Sequence, residues 1–179
     1  MAAILDATVE ALASDPDASV SAIARRAGVV RATVYVHFPS REDLITAVTE
    51  RAIGEATAAI AQAAPTEGDP AAALERMLRM SWRSLGRYHA LVQINMRLEH
   101  ESLRRLHEPV LALVTPLLAR GQAAGAFNPD LPIEWMLTVL LELIHAASLS
   151  LTSGTLRPER AEQVLVDTTL GAFSATPNR

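Results

Sequence analysis

Residues 19–41 concentrate side chains that bind phosphate groups and base edges. The segment, SVSAIARRAGVVRATVYVHFPSR, holds four arginines and no acidic residue, although the whole chain has 16 basic and 20 acidic residues and a net charge of −4. Tyr35 and His37 add a hydroxyl and an imidazole that can hydrogen-bond to phosphate. Positive charge gathered in one short stretch of an acidic chain is typical of a nucleic-acid contact. The segment therefore predicts a DNA-binding site.

Two short helices must position these groups. The first is predicted to begin at the cap candidate Ser19 and to end near Ala27, and the second spans roughly residues 31–38. Between them lies Gly28, whose left-handed backbone suits a tight turn. This arrangement is the pattern of a helix-turn-helix, in which the second helix enters the major groove of DNA.

Helical periodicity dominates the rest of the chain and predicts an all-α fold. A helix before residue 14 completes a three-helix head, whose core is expected to hold Val34 and Phe38 away from DNA. Ser40 and Asp43 form a predicted capping box that opens a connector helix over Glu42–Ala64. Further helices are predicted near residues 71–87, 89–99, 102–124, 133–151 and 158–174. We expect a helix-turn-helix DNA-binding domain over residues 1–45 and a helical ligand-binding and dimerisation domain over residues 46–179.

The segment Ser19–Leu44 resembles the N-terminal domain of the TetR family of bacterial transcriptional regulators. The matching segments are Ile23-Ala24, Ala27-Gly28-Val29, Arg31-Ala32-Thr33-Val34-Tyr35, His37-Phe38 and Ser40-Arg41-Glu42-Asp43-Leu44. The resemblance rests on motifs over about the first 50 residues, and beyond them on helix number, length and order. It implies a homodimeric repressor that binds a palindromic operator in double-stranded DNA. It also implies release by a small-molecule effector bound in the C-terminal domain.

The predicted DNA-binding residues have different tasks. Arg31 suits either a guanine edge, gripped by both arms of the guanidinium, or a phosphate. The methyl groups of Ala32 and Thr33 suit thymine. Tyr35, His37 and Arg41 are expected to hold phosphates, and the family resemblance favours Tyr35 and His37 as backbone contacts. The complete predicted set is Ser19, Arg31, Ala32, Thr33, Tyr35, His37 and Arg41.

Three features depart from the family pattern. Val30 stands where a small capping residue is common, so the recognition helix lacks a side-chain N-cap. Val36 replaces a position that is frequently polar, which removes one possible phosphate or base contact. The chain also begins without the basic arm that many family members carry. A helical protein-interaction adaptor with weakened DNA binding is therefore an alternative function.

The C-terminal part combines apolar helices with a few polar side chains, the composition of a ligand pocket. Glu142 and His145 are favoured because polar groups within so apolar a helix need a partner, and a hydrogen bond between them is the structural alternative. A ligand there is expected to be hydrophobic, with one cationic or hydrogen-bonding group. The candidate ligand-binding residues are Met77, Trp82, Asn95, Met96, Trp135, Glu142 and His145.

The predicted helix over residues 133–151 is apolar on nearly every side. It reaches the short end of the roughly 17–25 residues that span a membrane, but Glu142 and His145 near its middle would be costly there, so no membrane is expected. A two-fold four-helix bundle with the helix over residues 158–174 would bury it instead. The predicted dimerisation residues are Leu137, Leu140, Leu141, Ile144, Val164, Leu165, Thr168 and Phe173.

Enzymatic activity is not expected from the motifs. The five histidines form no HExxH pair, and neither a nucleophile elbow nor a phosphate-binding glycine loop is present in the sequence. Glu142 and His145 match half of a helical di-metal motif, so a helical-bundle metalloenzyme is the remote alternative. We expect no metal and no cofactor. The absence of cysteine and of a signal-like N-terminus agrees with a cytoplasmic location.

Overall fold

The structure is a computed structural model that describes residues 1–95 and 100–175. Within these ranges the chain forms nine α-helices, and an isolated bridge pairs Phe127 with Ser174. The all-α prediction is confirmed. The helices are α1 (Ala2–Ser14), α2 (Val20–Arg26), α3 (Arg31–His37), α4 (Arg41–Gln62), α5 (Pro70–Leu85), α6 (His89–Asn95), α7 (His100–Ala123), α8 (Ile133–Thr152) and α9 (Pro158–Phe173).

Local signals shape the N-terminal head, which consists of α1, α2, α3 and the first half of α4. Ser19 caps α2 by accepting a hydrogen bond from the backbone N–H of Ala22 at 3.2 Å. Gly28 has a φ of +69° in the turn to α3. This left-handed backbone conformation suits glycine, because a residue with a side chain would be strained in it. Val34 and Phe38 are buried in the core of the head, as predicted.

Helix α4 is a single rod shared by the head and the C-terminal body. It opens with the predicted capping box, in which Ser40 Oγ accepts from the N–H of Asp43 and the Asp43 carboxylate accepts from the N–H of Ser40, both at 3.0 Å. Leu44 and Val48 pack in the core of the head, whereas Ile60 packs in the core of the body. Its 22 residues span about 33 Å, so the helix reaches from one core to the other.

The core of the head extends beyond the predicted boundary at residue 45. Tyr88, just before α6, and Leu91, within it, belong to the same buried cluster as Leu12 of α1 and Leu44 of α4. Helix α1 packs against both α4 and α6. Helix α4 crosses residue 45 without a break. The division of the chain into two domains at that residue remains a prediction.

The C-terminal body packs α5, α7, α8 and α9 around an aliphatic core that includes Leu74, Leu118 and Met136. Gly121 of α7 allows Phe127 to lie directly against the helix, since an added Cβ would be 2.0 Å from the ring. Among the described helices, α8 is long and apolar enough to meet the minimum for a membrane span, a test that the core helix of a soluble protein also passes. Here α8 packs against α6, α7 and α9.

Candidate functional site

The recognition helix α3 presents two polar flanks on either side of an outward face. On one flank the Arg31 guanidinium lies over the Tyr35 ring, 5.1 Å from its centroid, and Arg31 Nη2 donates to the Tyr35 hydroxyl at 3.0 Å. Thr33 and His37 lie on the other flank. The buried Val34 holds the helix against the head between these flanks. The outward face is therefore free to meet a partner.

Most of the predicted DNA-binding residues lie on this accessible surface. Arg31, Ala32 and His37 are exposed, and Thr33 and Tyr35 are half-buried. The exposed Ser19 lies apart from α3, at the start of α2, where it is the cap described above.

Arg41 makes contacts within the head that the sequence did not predict. Its Nη2 donates to the carbonyl of Pro16 at 2.8 Å and its Nε to the carbonyl of Ala18 at 3.3 Å. The half-buried guanidinium thus ties the first residue of α4 to the loop between α1 and α2. The phosphate contact of Arg41 remains a prediction. No sequence pattern near Arg41 reveals acceptors that lie more than twenty residues away.

A narrow cavity of about 60 Å³ lies between α4, α5, α6, α7 and α8. Its walls are aliphatic apart from three polar residues, Ser81, His107 and His145. This composition, apolar walls with a few hydrogen-bonding groups, is typical of a small-molecule site. The lining residues are Ile53, Ala56, Ile60, Met77, Ser81, Leu85, Val92, His107, Val110, Leu111, Val114, Leu140, Leu141, Ile144 and His145.

His145 is the most unusual group at this cavity. The residue is 4% exposed, and its Nδ1 has no hydrogen-bond partner among the described residues. Glu142 Oε1 lies 3.8 Å from His145 Nδ1, which is too far for the hydrogen bond that the sequence suggested between the two residues. The Glu142 side chain is exposed. Burial lowers the pKa of His145, helped by the nearby His107 and opposed by Glu142. The imidazole is therefore neutral at pH 7 and offers an unsatisfied polar atom.

Two predicted ligand-binding residues, Met77 and His145, line the cavity. Trp82 packs instead beside His89, with ring centroids 4.9 Å apart, and Asn95 donates to Thr49 Oγ1 at 3.3 Å. Trp135 is 57% exposed on the outside of α8.

Trp82, Asn95, Trp135 and Glu142 do not line this cavity, and a ligand-binding role for them remains a prediction. Met96 lies outside the described residues. The sequence prediction missed Ser81 and His107. Isolated polar residues on apolar helices were their signal, the same signal that led to His145.

The predicted dimerisation residues divide by the side of the helix on which they lie. Leu137, Leu140, Leu165 and Phe173 are largely buried inside the chain, and their role in a dimer remains a prediction. Leu141 and Ile144 border the cavity. Val164, Leu165 and Thr168 line an open groove between α8 and α9, together with Leu143, Ala146, Ala147, Ser150 and Leu156.

A helix-turn-helix head joined by one long helix to a body with an internal apolar cavity defines a class: ligand-responsive DNA-binding transcriptional regulators. The family model for bacterial regulatory proteins of the tetR family matches residues 4–48. The HTH-type transcriptional repressor LfrR of Mycolicibacterium smegmatis (strain ATCC 700084 / mc(2)155) is 30% identical over 180 residues, which cover 96% of this chain and 89% of LfrR. The chain belongs to the TetR family.

Solved structures agree with this assignment. The TetR-like regulator LfrR from Mycobacterium smegmatis, crystallised with proflavine, has 26% identity and a TM-score of 0.74, with coverage of 98% of this chain and 97% of that chain. FadR from Bacillus subtilis, crystallised with stearoyl-CoA, has 17% identity and a TM-score of 0.78, with coverage of 96% and 98%, and so shares the fold. The protein is thus a ligand-responsive DNA-binding regulator of transcription.

Proposed function

We propose that this chain is a repressor that binds a palindromic operator as a homodimer and leaves it when a small hydrophobic molecule enters the cavity. The observation that carries this proposal is the placement of α4. Its residues Leu44 and Val48 pack in the head, whereas Ile53, Ala56 and Ile60 line the cavity. A ligand that displaces one wall of the cavity therefore acts on the same rod that carries the recognition helix.

In the DNA complex, the flanks of α3 face the walls of the major groove. Tyr35 and His37 are assigned to phosphates, and the paired Arg31 lies at the start of the helix, where base edges are reached. Ala32 and Thr33 supply methyl groups for thymine. The exposed Arg25 and its neighbours add positive potential that steers the head towards DNA.

The effector is an uncharged or weakly polar hydrophobic molecule. Aliphatic walls exclude a strongly hydrated ligand, and the neutral His145 suits a hydrogen-bonding group better than a cation, because Glu142 points outwards. The cavity of about 60 Å³ is far below the roughly 300–1,000 Å³ of occupied ligand sites. Binding therefore requires a wider state of the body. The proflavine complex of the LfrR relative supports a ligand site in this fold.

The homodimer is proposed to form through the outer faces of α8 and α9. Trp135 and Leu149 are large apolar side chains exposed on α8, and Val164 and Thr168 border the adjacent groove. A two-fold axis through this face would cover both copies at once and hold two recognition helices one turn of DNA apart. Replacing Leu149 by Asp should yield monomers in sedimentation experiments, whereas Ala72→Asp, at an exposed site in the first turn of α5, should leave the dimer intact.

The decisive experiment is selection of bound fragments from a random DNA pool by the purified protein. Enrichment of a palindrome bound by two protomers is the expected result, and compounds that dissociate this complex are then effector candidates. If no sequence is enriched at low salt, operator recognition is refuted and the adaptor function is favoured. If a sequence is enriched but one protomer binds it, the dimer is refuted while DNA recognition stands.

A further inference from the structure

The outward face of the recognition helix is apolar. Val36 is 80% exposed, and Val30, at the N-cap of α3, is 69% exposed. Since successive residues of an α-helix are rotated by about 100°, Ala32 and Val36 lie one turn apart on the side opposite the buried Val34. Ala32 is exposed as well. The two side chains therefore form one small apolar strip.

The position of this strip on the helix, rather than its hydrophobicity alone, indicates what it contacts. Single exposed valines are ordinary on protein surfaces and contribute little to folding. This strip, however, lies between the Arg31–Tyr35 pair on one flank and Thr33 and His37 on the other. A helix that enters the major groove places its flanks near the phosphates and its outermost face near the base edges. In that orientation Val36 would face the bases.

The chemistry of valine narrows what it can read there. Its side chain neither donates nor accepts a hydrogen bond, so it cannot recognise the polar edges of guanine, cytosine or adenine. The C5-methyl group of thymine is the apolar group that a base pair presents in the major groove. We propose that Val36, beside Ala32, contacts thymine methyl groups and so determines part of the operator sequence. This inference rests on the proposed operator binding.

Replacement of thymine by deoxyuridine tests the contact directly, because it deletes the C5-methyl group and leaves base pairing unchanged. Each thymine of the selected operator would be replaced in both half-sites, and affinity would be measured by fluorescence anisotropy at fixed salt. We expect one or two positions at which the wild-type chain loses roughly fourfold per methyl, or about 15-fold for the symmetric pair. At those positions Val36→Ala should lose far less.

Tyr35→Phe is the matched control, because its assigned phosphate contact should weaken binding to every sequence alike and keep the full sensitivity to deoxyuridine. Val36→Ala should unfold at the same temperature as the wild type, since the side chain is exposed. Equal deoxyuridine penalties for the wild type and Val36→Ala at every position would overturn the inference while leaving operator binding intact. Absence of any enriched operator would overturn both.

Discussion

Tyr88 links the head to the C-terminal body, and replacing it by Phe removes one hydroxyl from that junction. The residue is 1% exposed. Its hydroxyl accepts from Arg51 Nε at 3.2 Å and from Arg87 Nη2 at 2.9 Å, and donates to Glu55 Oε1 at 2.9 Å. Arg51 Nη2 in turn donates to Asp6 Oδ1 at 2.6 Å. One hydroxyl thus joins α1, α4 and the turn before α6.

The expected loss follows from these three hydrogen bonds. A hydrogen bond to a charged partner contributes about 1.5–3 kcal/mol to stability. The direct pair between Arg87 and Glu55, 2.9 Å apart, survives the substitution, and both side chains are partly hydrated, which reduces the loss. We expect the free energy of unfolding to fall by about 2 kcal/mol. For a chain of this size, Tm should fall by roughly 4–8 °C.

The second tyrosine of the chain supplies the matched control. Tyr35 bonds to Arg31 on the exposed surface of α3, so Tyr35→Phe should change stability by less than about 0.5 kcal/mol while weakening DNA binding about fivefold to tenfold. Urea unfolding followed by the fluorescence of Trp82 and Trp135 measures stability, and anisotropy measures DNA binding. The assignment of Tyr88 to the junction and of Tyr35 to the DNA interface would be refuted if Tyr88→Phe were as stable as the wild type. It would also be refuted if Tyr35→Phe lost as much stability as Tyr88→Phe.

Three further predictions test the fold and the cavity. Gly121→Ala should destabilise the chain by about 1–3 kcal/mol, because the added Cβ would overlap the buried Phe127 ring. Gly54→Ala should stabilise the chain by roughly 0.5–1 kcal/mol, because a Cβ added there would meet none of the described atoms outside its own helical turn within 4 Å. Chemical denaturation measures both changes in the free energy of unfolding. Val30→Ser should add the missing N-cap of α3 and about 1 kcal/mol of stability by the same assay. Burial lowers the pKa of His145 below its ordinary value of 6.5, so the neutral imidazole contributes its full stability above pH 6.5, and this stability is lost as the pH falls below 6.5. The urea midpoint should therefore fall less between pH 7.5 and 5.5 in His145→Gln than in the wild type. An equal fall in the two proteins would contradict this prediction.

The structural features predicted correctly are those that neighbouring residues determine. Gly28 and the capping box of Ser40 and Asp43 act within four residues, so their geometry can be inferred from the printed sequence. Placement of Val34 and Phe38 in the core follows equally from helical spacing. Local physical chemistry was therefore sufficient for the head and for most helix boundaries.

Contacts between distant helices could not be predicted in the same way. Helix α8 is apolar on several sides, and its sequence does not say which side meets α7, the cavity or a second copy. Leu140 is buried in the core and borders the cavity, whereas Trp135 is exposed on the outside of α8. Arg41 is a second example, because its carbonyl partners at Pro16 and Ala18 depend on how the head closes. These outcomes depend on tertiary packing, which helical periodicity does not encode.

In the proposed mechanism, the anchoring of α4 determines how a small change at the cavity reaches DNA. Arg76 donates to the carbonyls of Ala63, Ala64 and Glu67, which fixes the C-terminal end of the helix. At about 1.5 Å per residue, Ala56 lies roughly 10 Å from this anchor and Leu44 roughly 28 Å. A 1 Å displacement at the cavity therefore becomes about 3 Å at the head if the helix pivots as a rod. A ligand produces this shift only by binding the wider state more tightly than the narrow one, so its differential affinity, and not its affinity alone, sets the response.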